Sequence, residues 1–405
     1  MNRTEYDVAI VGGGIVGLAT ALSLLDARPR LSVAVIEKGA AVALHQSSHN
    51  SGVVHSGIYY RPGSFRARLG VEGAALMEAF CTQHALPFER CGKVIVATED
   101  AEVPRLEELF RRGTENGVPG LELVDAARLR ALEPAARGVA AIWSPNTAMT
   151  DFGVVARTMA QLFQERGGEL LLERKVTAIE EGPHSLTLRS DAGAVTARFL
   201  VNCAGLYADR LARAAGELPE IRIVPFRGEY YRVLPPRNDH VNGAIYPVPD
   251  PAFPFLGVHF TRTVHGELEV GPNAVFAFAR EGYTWTSVHV PELIDSLSFP
   301  GVWRMAGKHW KIALTETVRS LNKGSFVNSA RKLVPGVRPE DLERHVTGVR
   351  AQAMRPDGSL VDDFVFLKGT RALHVLNAPS PAATASLAIG RHIVVEVAKL
   401  GFGQN

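Results

Sequence analysis

The feature that most constrains this chain is a glycine spacing near its start. Residues 6–17 read YDVAIVGGGIVG, an apolar, β-branched run followed by Gly12, Gly14 and Gly17 in the order G-x-G-x-x-G. A short run of this kind suits a buried parallel strand. The first glycine then permits the tight turn, the second lets a pyrophosphate approach the backbone, and the third lets the following helix pack on the strand. A helix over Ile15–Leu25 would present free N–H groups to phosphate. A second apolar run, Leu31–Ile36, closes on Glu37, twenty residues after Gly17. A carboxylate there can accept hydrogen bonds from ribose hydroxyls and disfavours a 2′-phosphate. Strand, turn, helix, strand and acid together predict a dinucleotide-binding βαβ unit. The stretch Val8–Leu25 carries no charge and would pass a crude membrane-span filter, but its glycine-rich centre reads as a turn between strand and helix.

The run HQSSHNSGVVHSGIYY follows almost at once, over residues 45–60, with three histidines, four serines and no acid or lysine. A solvated loop would carry charge and a core strand fewer hydroxyls, so the run reads as a segment facing something it hydrogen-bonds. Further along, helices are expected over Arg66–His84, Val103–Asn116 and Phe152–Arg166, with SPNTAMTD before the last as turn-rich punctuation. Short strands follow over 170–201 and end in NCAG. From Ile221 to Val290 the pattern becomes short strands broken by Pro, Gly and Asn, which suits an antiparallel sheet. Residues 291–342 read as helical, and strand, loop and a long helix return after that. The expected fold class is therefore α/β: a Rossmann-type dinucleotide domain, built from 1–84, 150–220 and 343–405, interleaved with an α+β substrate domain on a mostly antiparallel sheet, built from 85–149 and 221–342.

With 405 residues, 44 basic and 42 acidic side chains and no basic block interleaved with aromatics, the chain shows no nucleic-acid footprint. Cys81, Cys91 and Cys203 are an odd count without metal-ligand spacing, so no metal is expected, and Cys203 reads as a small buried residue. Only a few residues precede the first strand, which points to a cytoplasmic protein without a presequence. The segment 303–332 is helical, basic and tryptophan-bearing. It reads either as a solvated face or as a peripheral contact with the inner face of a membrane.

A substrate site beside the cofactor needs a base, an anion clamp and small residues for close approach. His55, bracketed by glycines and small polar groups, and His259, a polar interruption in an aromatic strand, are the candidate bases. Arg350 in GVRAQ and Arg227 in PFRGEY are the candidate carboxylate clamps. NAPSPAATASLAIG, 377–390, is a small-residue loop able to lie against a flat ring. Nucleotide-like segments recur at the start, middle and end of the chain around a single glycine fingerprint. That favours FAD, which would draw on separated segments, over NAD.

Beyond these elements, SSHNSGVVHSGIYYRPGSFRARL, CGKVIVAT, VPFRGEYY, IYPVPDPAFPFLGVHFTR, GVRAQAMRPDGSLVDDFVF and LHVLNAPSPAATASLAIG resemble the L-2-hydroxyglutarate dehydrogenases and oxidases. These are FAD enzymes of the D-amino-acid-oxidase-like (glycine/sarcosine oxidase) superfamily. The resemblance runs from Tyr6 to about Val397. It implies FAD, and oxidation of L-2-hydroxyglutarate to 2-oxoglutarate by hydride transfer from C2 to flavin N5, with oxygen, a quinone or an electron-transfer protein as the final acceptor. It implies Gly12, Gly14, Gly17 and Glu37 as the ADP grip, Ser47, Ser48 and Asn50 as flavin-loop residues, and Val176 at adenine. It also implies Ala204 and Gly205 near pyrophosphate, Pro381, Ala382, Ala383 and Thr384 at the isoalloxazine, and Arg350 on a substrate carboxylate. A second carboxylate needs further holders, and Tyr60, Tyr246, Arg227 and Arg61 are expected to help. Two other readings stand beside this one: an amine or amino-acid oxidase of the same superfamily, and a non-catalytic flavin-binding protein.

Overall fold

In the computed structural model, which describes residues 4–250 and 255–402, the opening apolar run forms the strand Glu5–Val11 and the glycine turn leads into the helix Ile15–Ala27. Val8, Ile10 and Leu18 are fully buried, and each such side chain contributes roughly 1.5–3 kcal/mol of burial free energy. The strand pairs in parallel with Val33–Ile36 on one side and Gly193–Asn202 on the other. Glu169–Leu171 adds in parallel beyond Val33–Ile36, and Ala372–Asn377 beside Gly193–Asn202. An antiparallel ribbon, Val176–Glu181 with Leu186–Ser190, extends the edge of this sheet. The helices Phe152–Glu165 and Ser386–Lys399 pack against the first helix, so this sheet is assembled from beginning, middle and end of the chain.

A second sheet runs through Val275–Phe276, Arg222–Val233, Leu268–Gly271, His259–Arg262, Ala244–Pro247, Lys93–Ala97, Ala140–Ser144 and Glu122–Asp125. Its pairings are antiparallel except for Lys93–Ala97 beside Ala244–Pro247. The long strand Leu342–Met354 also belongs here, antiparallel to Arg222–Val233 along its length. Residues 343–354 therefore lie in the second sheet and not, as the sequence suggested, with the dinucleotide unit. Most of this strand is only partly buried, with Glu343 and Arg344 exposed, so its pattern does not assign it to one sheet or another.

A third, three-stranded sheet joins Val53–Val54, inside the polar run, to Ala148–Thr150 and Phe88–Arg90. The expected turn around SPNTAMTD is thus partly strand: Ala148 and Met149 are buried and give the polar run an edge to pair with. A buried ion pair, Arg280 Nη1 to Asp209 Oδ1 at 2.5 Å, links a loop of the second sheet to the helix Ala208–Ala214 beside the first. Residues of both sheets line one cavity, and the candidate site lies there.

Candidate active site

One continuous cavity of about 1690 Å³ runs from the glycine turn to the face of the second sheet. A typical small-molecule pocket is roughly 300–1,000 Å³, so this one has room for a long cofactor and a second small molecule. At one end Gly12 adopts φ +113°, and a Cβ there would come within 2.3 Å of the Cys203 carbonyl oxygen. A Cβ on Gly17 would stand 2.1 Å from the Gly12 carbonyl. Gly14 lines the cavity instead, with only Ser47 Oγ near the place a side chain would fill. Glu37 accepts from the Gly13 N–H at 2.7 Å and the Gly39 N–H at 2.8 Å. Its carboxylate lies on the cavity with acceptor capacity remaining for hydroxyls. Val176, Ala204 and Gly205 line the same end. The turn, the acid and the open space left by the missing Gly14 side chain fit the ADP portion of a dinucleotide.

The polar run lies along the middle of the cavity. Ser47 Oγ accepts from the Ile15 N–H at 2.9 Å, so it ties the run to the helix start beside the fingerprint. Asn50 donates to the carbonyls of Gln46 and Ser47 and accepts from the Gly52 N–H, which fixes the loop. Ser48, expected on the flavin loop, turns the other way: its hydroxyl donates to the Ala43 carbonyl at 2.6 Å and does not line the cavity. The loop makes a turn here, and a turn sends adjacent side chains in opposite directions. Pro381, Ala382, Ala383 and Thr384 form the facing wall, and Thr384 Oγ1 accepts from the His55 N–H at 3.1 Å.

Beyond that wall His55, Tyr59, Tyr60, Arg66, Tyr230, Tyr246, His259 and Arg350 share the cavity. His259 Nδ1 lies 2.8 Å from the Gly257 carbonyl, which selects the tautomer with Nδ1–H and leaves Nε2 as an acceptor. Its ring stacks on Tyr246 at 3.9 Å between centroids. Burial pushes His259 down to about 3 and His55 well below the usual imidazole range, with Lys93 adding to both. Both imidazoles are therefore neutral near pH 7. His55 Nδ1, Tyr59 Oη and Arg350 Nη1 are buried without a hydrogen-bond partner among the described residues. Groups left this way in a cavity are the ones a ligand would satisfy. Burial raises Tyr60 and Tyr230 to about 12, Tyr246 further, and Tyr59 well above the usual phenol range, so all four stay neutral O–H donors.

Two expected helpers are elsewhere. Arg227 lies on the opposite face of its strand, 1% exposed, paired with Glu229 at 3.1 Å and stacked on Trp285 at 4.5 Å. The two-residue period of a strand decides this: Gly228 and Tyr230 face the cavity, so Arg227 and Glu229 cannot. Arg61 is exposed and does not line the cavity. Arg66, five residues on, does; its guanidinium lies 4.6 Å over the Tyr60 ring and donates to the carbonyls of Asp362 and Ser380. Sequence reasoning missed Arg66, Tyr59, Tyr230 and Lys93. Strand alternation from Gly228 could have found Tyr230. Arg66 depends on the helix Phe65–Gln83 being anchored by Asp363, which accepts from the Phe65 and Arg66 N–H groups across 298 and 297 residues. Nothing local signals that contact. Cys203 lies beside the glycine turn with its thiol pushed up to about 12 by burial, as inert as a small core residue.

The profile of the FAD dependent oxidoreductase family matches residues 7–395, and the chain belongs to that family. Among solved structures it is similar to an L-alpha-glycerophosphate oxidase from Mycoplasma pneumoniae with FAD bound, at TM-score 0.78 and 22% identity over 98% of this chain and 95% of that one. A glycine oxidase from Geobacillus kaustophilus matches at TM-score 0.73 and 19% identity over 98% and 95%. The cofactor of the family is FAD, and the cradle described above suits it. Within the family, the chain is 46% identical to the L-2-hydroxyglutarate dehydrogenase of Indibacter alkaliphilus, over 95% of this chain and 97% of that protein. It is 44% identical to the human mitochondrial L-2-hydroxyglutarate dehydrogenase, over 98% and 89%. The protein of that name from Escherichia coli K12 is 42% identical, over 98% and 94%.

Proposed function

We propose that this protein oxidises L-2-hydroxyglutarate to 2-oxoglutarate with FAD as its cofactor. The observation that carries the reading is a shared wall: Arg350, with one guanidinium nitrogen unpartnered, opens onto the same cavity as two neutral imidazoles and the 381–384 loop. FAD, when bound, supplies the acceptor for the hydride that leaves C2. The chain supplies the rest. Arg350 binds one substrate carboxylate and keeps its charge although burial opposes it. His55 and His259 are the two bases placed to take the C2 hydroxyl proton, each neutral at working pH. Tyr60, Tyr230 and Tyr246 donate O–H groups to substrate oxygens. Fixing the 2-hydroxy acid among these groups converts the reaction to one of held geometry. The divided polypeptide supports a FAD-binding unit interleaved with a substrate unit whose sheet extends through Met354.

Anaerobic addition of each enantiomer of 2-hydroxyglutarate to the yellow holoprotein tests the reading. The L form bleaches the flavin band and the D form leaves it unchanged. Bleaching by glycine, sarcosine or D-amino acids but by neither enantiomer would instead make this an amine oxidase of the same family. A yellow protein that no small acid bleaches would be a flavin-binding protein without this activity.

The electrons pass on to oxygen, a quinone or an electron-transfer protein. Among the described residues no helix is long and apolar enough to cross a membrane. The helix Pro300–Leu321 nevertheless exposes Trp303, Trp310, Leu314, Val318 and Leu321 on one side. This row supports a peripheral membrane contact, where a quinone would be at hand.

A further inference from the structure

A five-carbon dicarboxylate carries two negative charges, and the cavity wall described so far answers one of them. Arg66, a second guanidinium at this end, is already engaged: it pairs with the Asp362 carboxylate and donates to two carbonyls, while Arg105 and Arg112, also on the cavity, pair with Asp250 and Glu108. Lys93 is different. It begins the strand Lys93–Ala97, is 1% exposed, and sits one layer behind the cavity. Its Nζ lies 4.8 Å from the Tyr59 ring centroid and 5.2 Å from that of Tyr246, and both tyrosines line the cavity. No hydrogen bond or carboxylate partner among the described residues compensates it, and the hydroxyl of Tyr59, whose ring is the nearer of the two, is itself unpartnered. An amine held on aromatic faces with no counter-ion is costly in a folded protein unless something anionic arrives to face it. Building on the proposed activity, we infer that Lys93 is the specificity-determining positioning residue for the second carboxylate of the substrate, acting through the Tyr59–Tyr246 wall so that the site prefers dicarboxylic over monocarboxylic 2-hydroxy acids.

The groups that face Lys93 set how its charge behaves. They are Cys91 just before its strand, Tyr59 and His55 from the polar run, and Tyr246 and His259 from the neighbouring strands. The thiol is pushed up to about 12, the phenols stay protonated and the imidazoles stay neutral, so none supplies a counter-charge near pH 7. Burial brings the Lys93 amine down to about 7. Its charge, and with it the preference for a dianion, is present below that pH and fades above it.

The test uses the holoprotein and two non-oxidisable ligands of equal chain length, glutarate and pentanoate, titrated against the flavin spectrum. Lys93→Met weakens glutarate roughly 10- to 100-fold, the size expected of a charge acting over several ångströms in a partly screened site. Pentanoate changes by less than about twofold, and Lys93→Arg keeps most of the preference. In turnover, Lys93→Met raises KM for L-2-hydroxyglutarate far more than it lowers kcat, while L-2-hydroxypentanoate is little affected. In the wild type the glutarate-to-pentanoate preference falls as pH rises from 6.5 to 9, and in Lys93→Met no more of that fall remains than Glu269 accounts for. Glu269, raised to about 7 by burial, also titrates in this range, but any effect it has persists in the variant. Equal losses for both ligands, or a wild-type preference that does not move with pH, would overturn the inference. The ligand titrations need no turnover, so they decide the role of Lys93 even if L-2-hydroxyglutarate fails to bleach the flavin, the outcome that would sink the proposed activity.

Discussion

Arg350 and Arg227 lie on paired strands one residue out of register, Arg350 opposite Phe226 and Arg227 opposite Val349, and they do unlike work. Arg350 opens on the cavity with Phe255 5.3 Å from its guanidinium and one nitrogen unpartnered. Arg350→Ala should therefore weaken substrate binding by roughly 10- to 100-fold, as expected for loss of a charge-assisted hydrogen bond worth about 1.5–3 kcal/mol. FAD affinity, read by flavin release in the same preparation, should stay within a factor of two or so. Equal losses of both would remove Arg350 from the substrate wall. Arg227→Met should do the reverse. Substrate affinity holds while stability to denaturant falls by roughly 1–3 kcal/mol, because Glu229 loses its cation and keeps only Asn273 and Ser320 as side-chain donors. Both arginines looked alike in the sequence, each following an apolar residue inside a strand-like run. Only the phase of the strand separates them.

At the scale of elements, the helix Pro300–Leu321 carries the largest unexplained surface. Trp303 is 62% exposed and Trp310 58%, and Leu314, Val318 and Leu321 continue the row at three- and four-residue steps. The preceding helix, Val290–Leu297, adds Val290 and Ile294. Residues 303–332 hold seven Lys and Arg against the one acid Glu316, so the apolar row has basic flanks. The wild-type protein should sediment with anionic lipid vesicles at low salt and be released as salt rises. Trp303→Ser with Trp310→Ser should stay in the supernatant with activity on the soluble substrate retained. A wild type that stays soluble over anionic vesicles at low salt would end the membrane reading. The helix itself was legible from composition. Its break at His309, with φ −120°, and the separate short helix Lys323–Ala330 were not, since no proline or glycine pair marks the break.

Over the whole molecule, buried imidazoles tie stability to pH. His374 is fully buried, with Nδ1 3.0 Å from Asn202 Nδ2, and burial lowers it to about 4; His259 lies at about 3. A histidine whose folded value is depressed binds its proton more readily when unfolded. Its contribution to stability is thus complete above the unfolded value of about 6.5 and is lost as pH falls through the folded values. Thermal midpoints should accordingly decline between pH 6.5 and 4. The salt-bridged Glu396, held near 2 by Lys368 and Lys399, adds a loss at lower pH still. Replacing His374 by Asn should flatten the first decline by up to about 3 kcal/mol at the acid end, read from midpoints across the pH series. An unchanged slope would show that His374 already charges freely in the native state.

How much of this was written in the order of residues follows from the range of the forces involved. The G-x-G-x-x-G turn, the acid twenty residues later and the first sheet's strands are local patterns, set by backbone sterics and the periodicity of burial, and the sequence carried them to within a residue or two. The loop 381–384 and the three candidates His55, His259 and Arg350, singled out from their residue types and neighbours, line one cavity. What the chain order did not determine is which side chains turn inward. Arg227 and Arg350 differ only by strand phase, Ser47 and Ser48 only by the turn between them, and Arg66 reaches the wall because Asp363 anchors its helix from nearly three hundred residues away. Lys93 became a candidate only when two distant tyrosines were seen to cover it. Pairing across a sheet and the burial of charge are decided by contacts between remote segments, and those exist only once the two sheets have closed on each other.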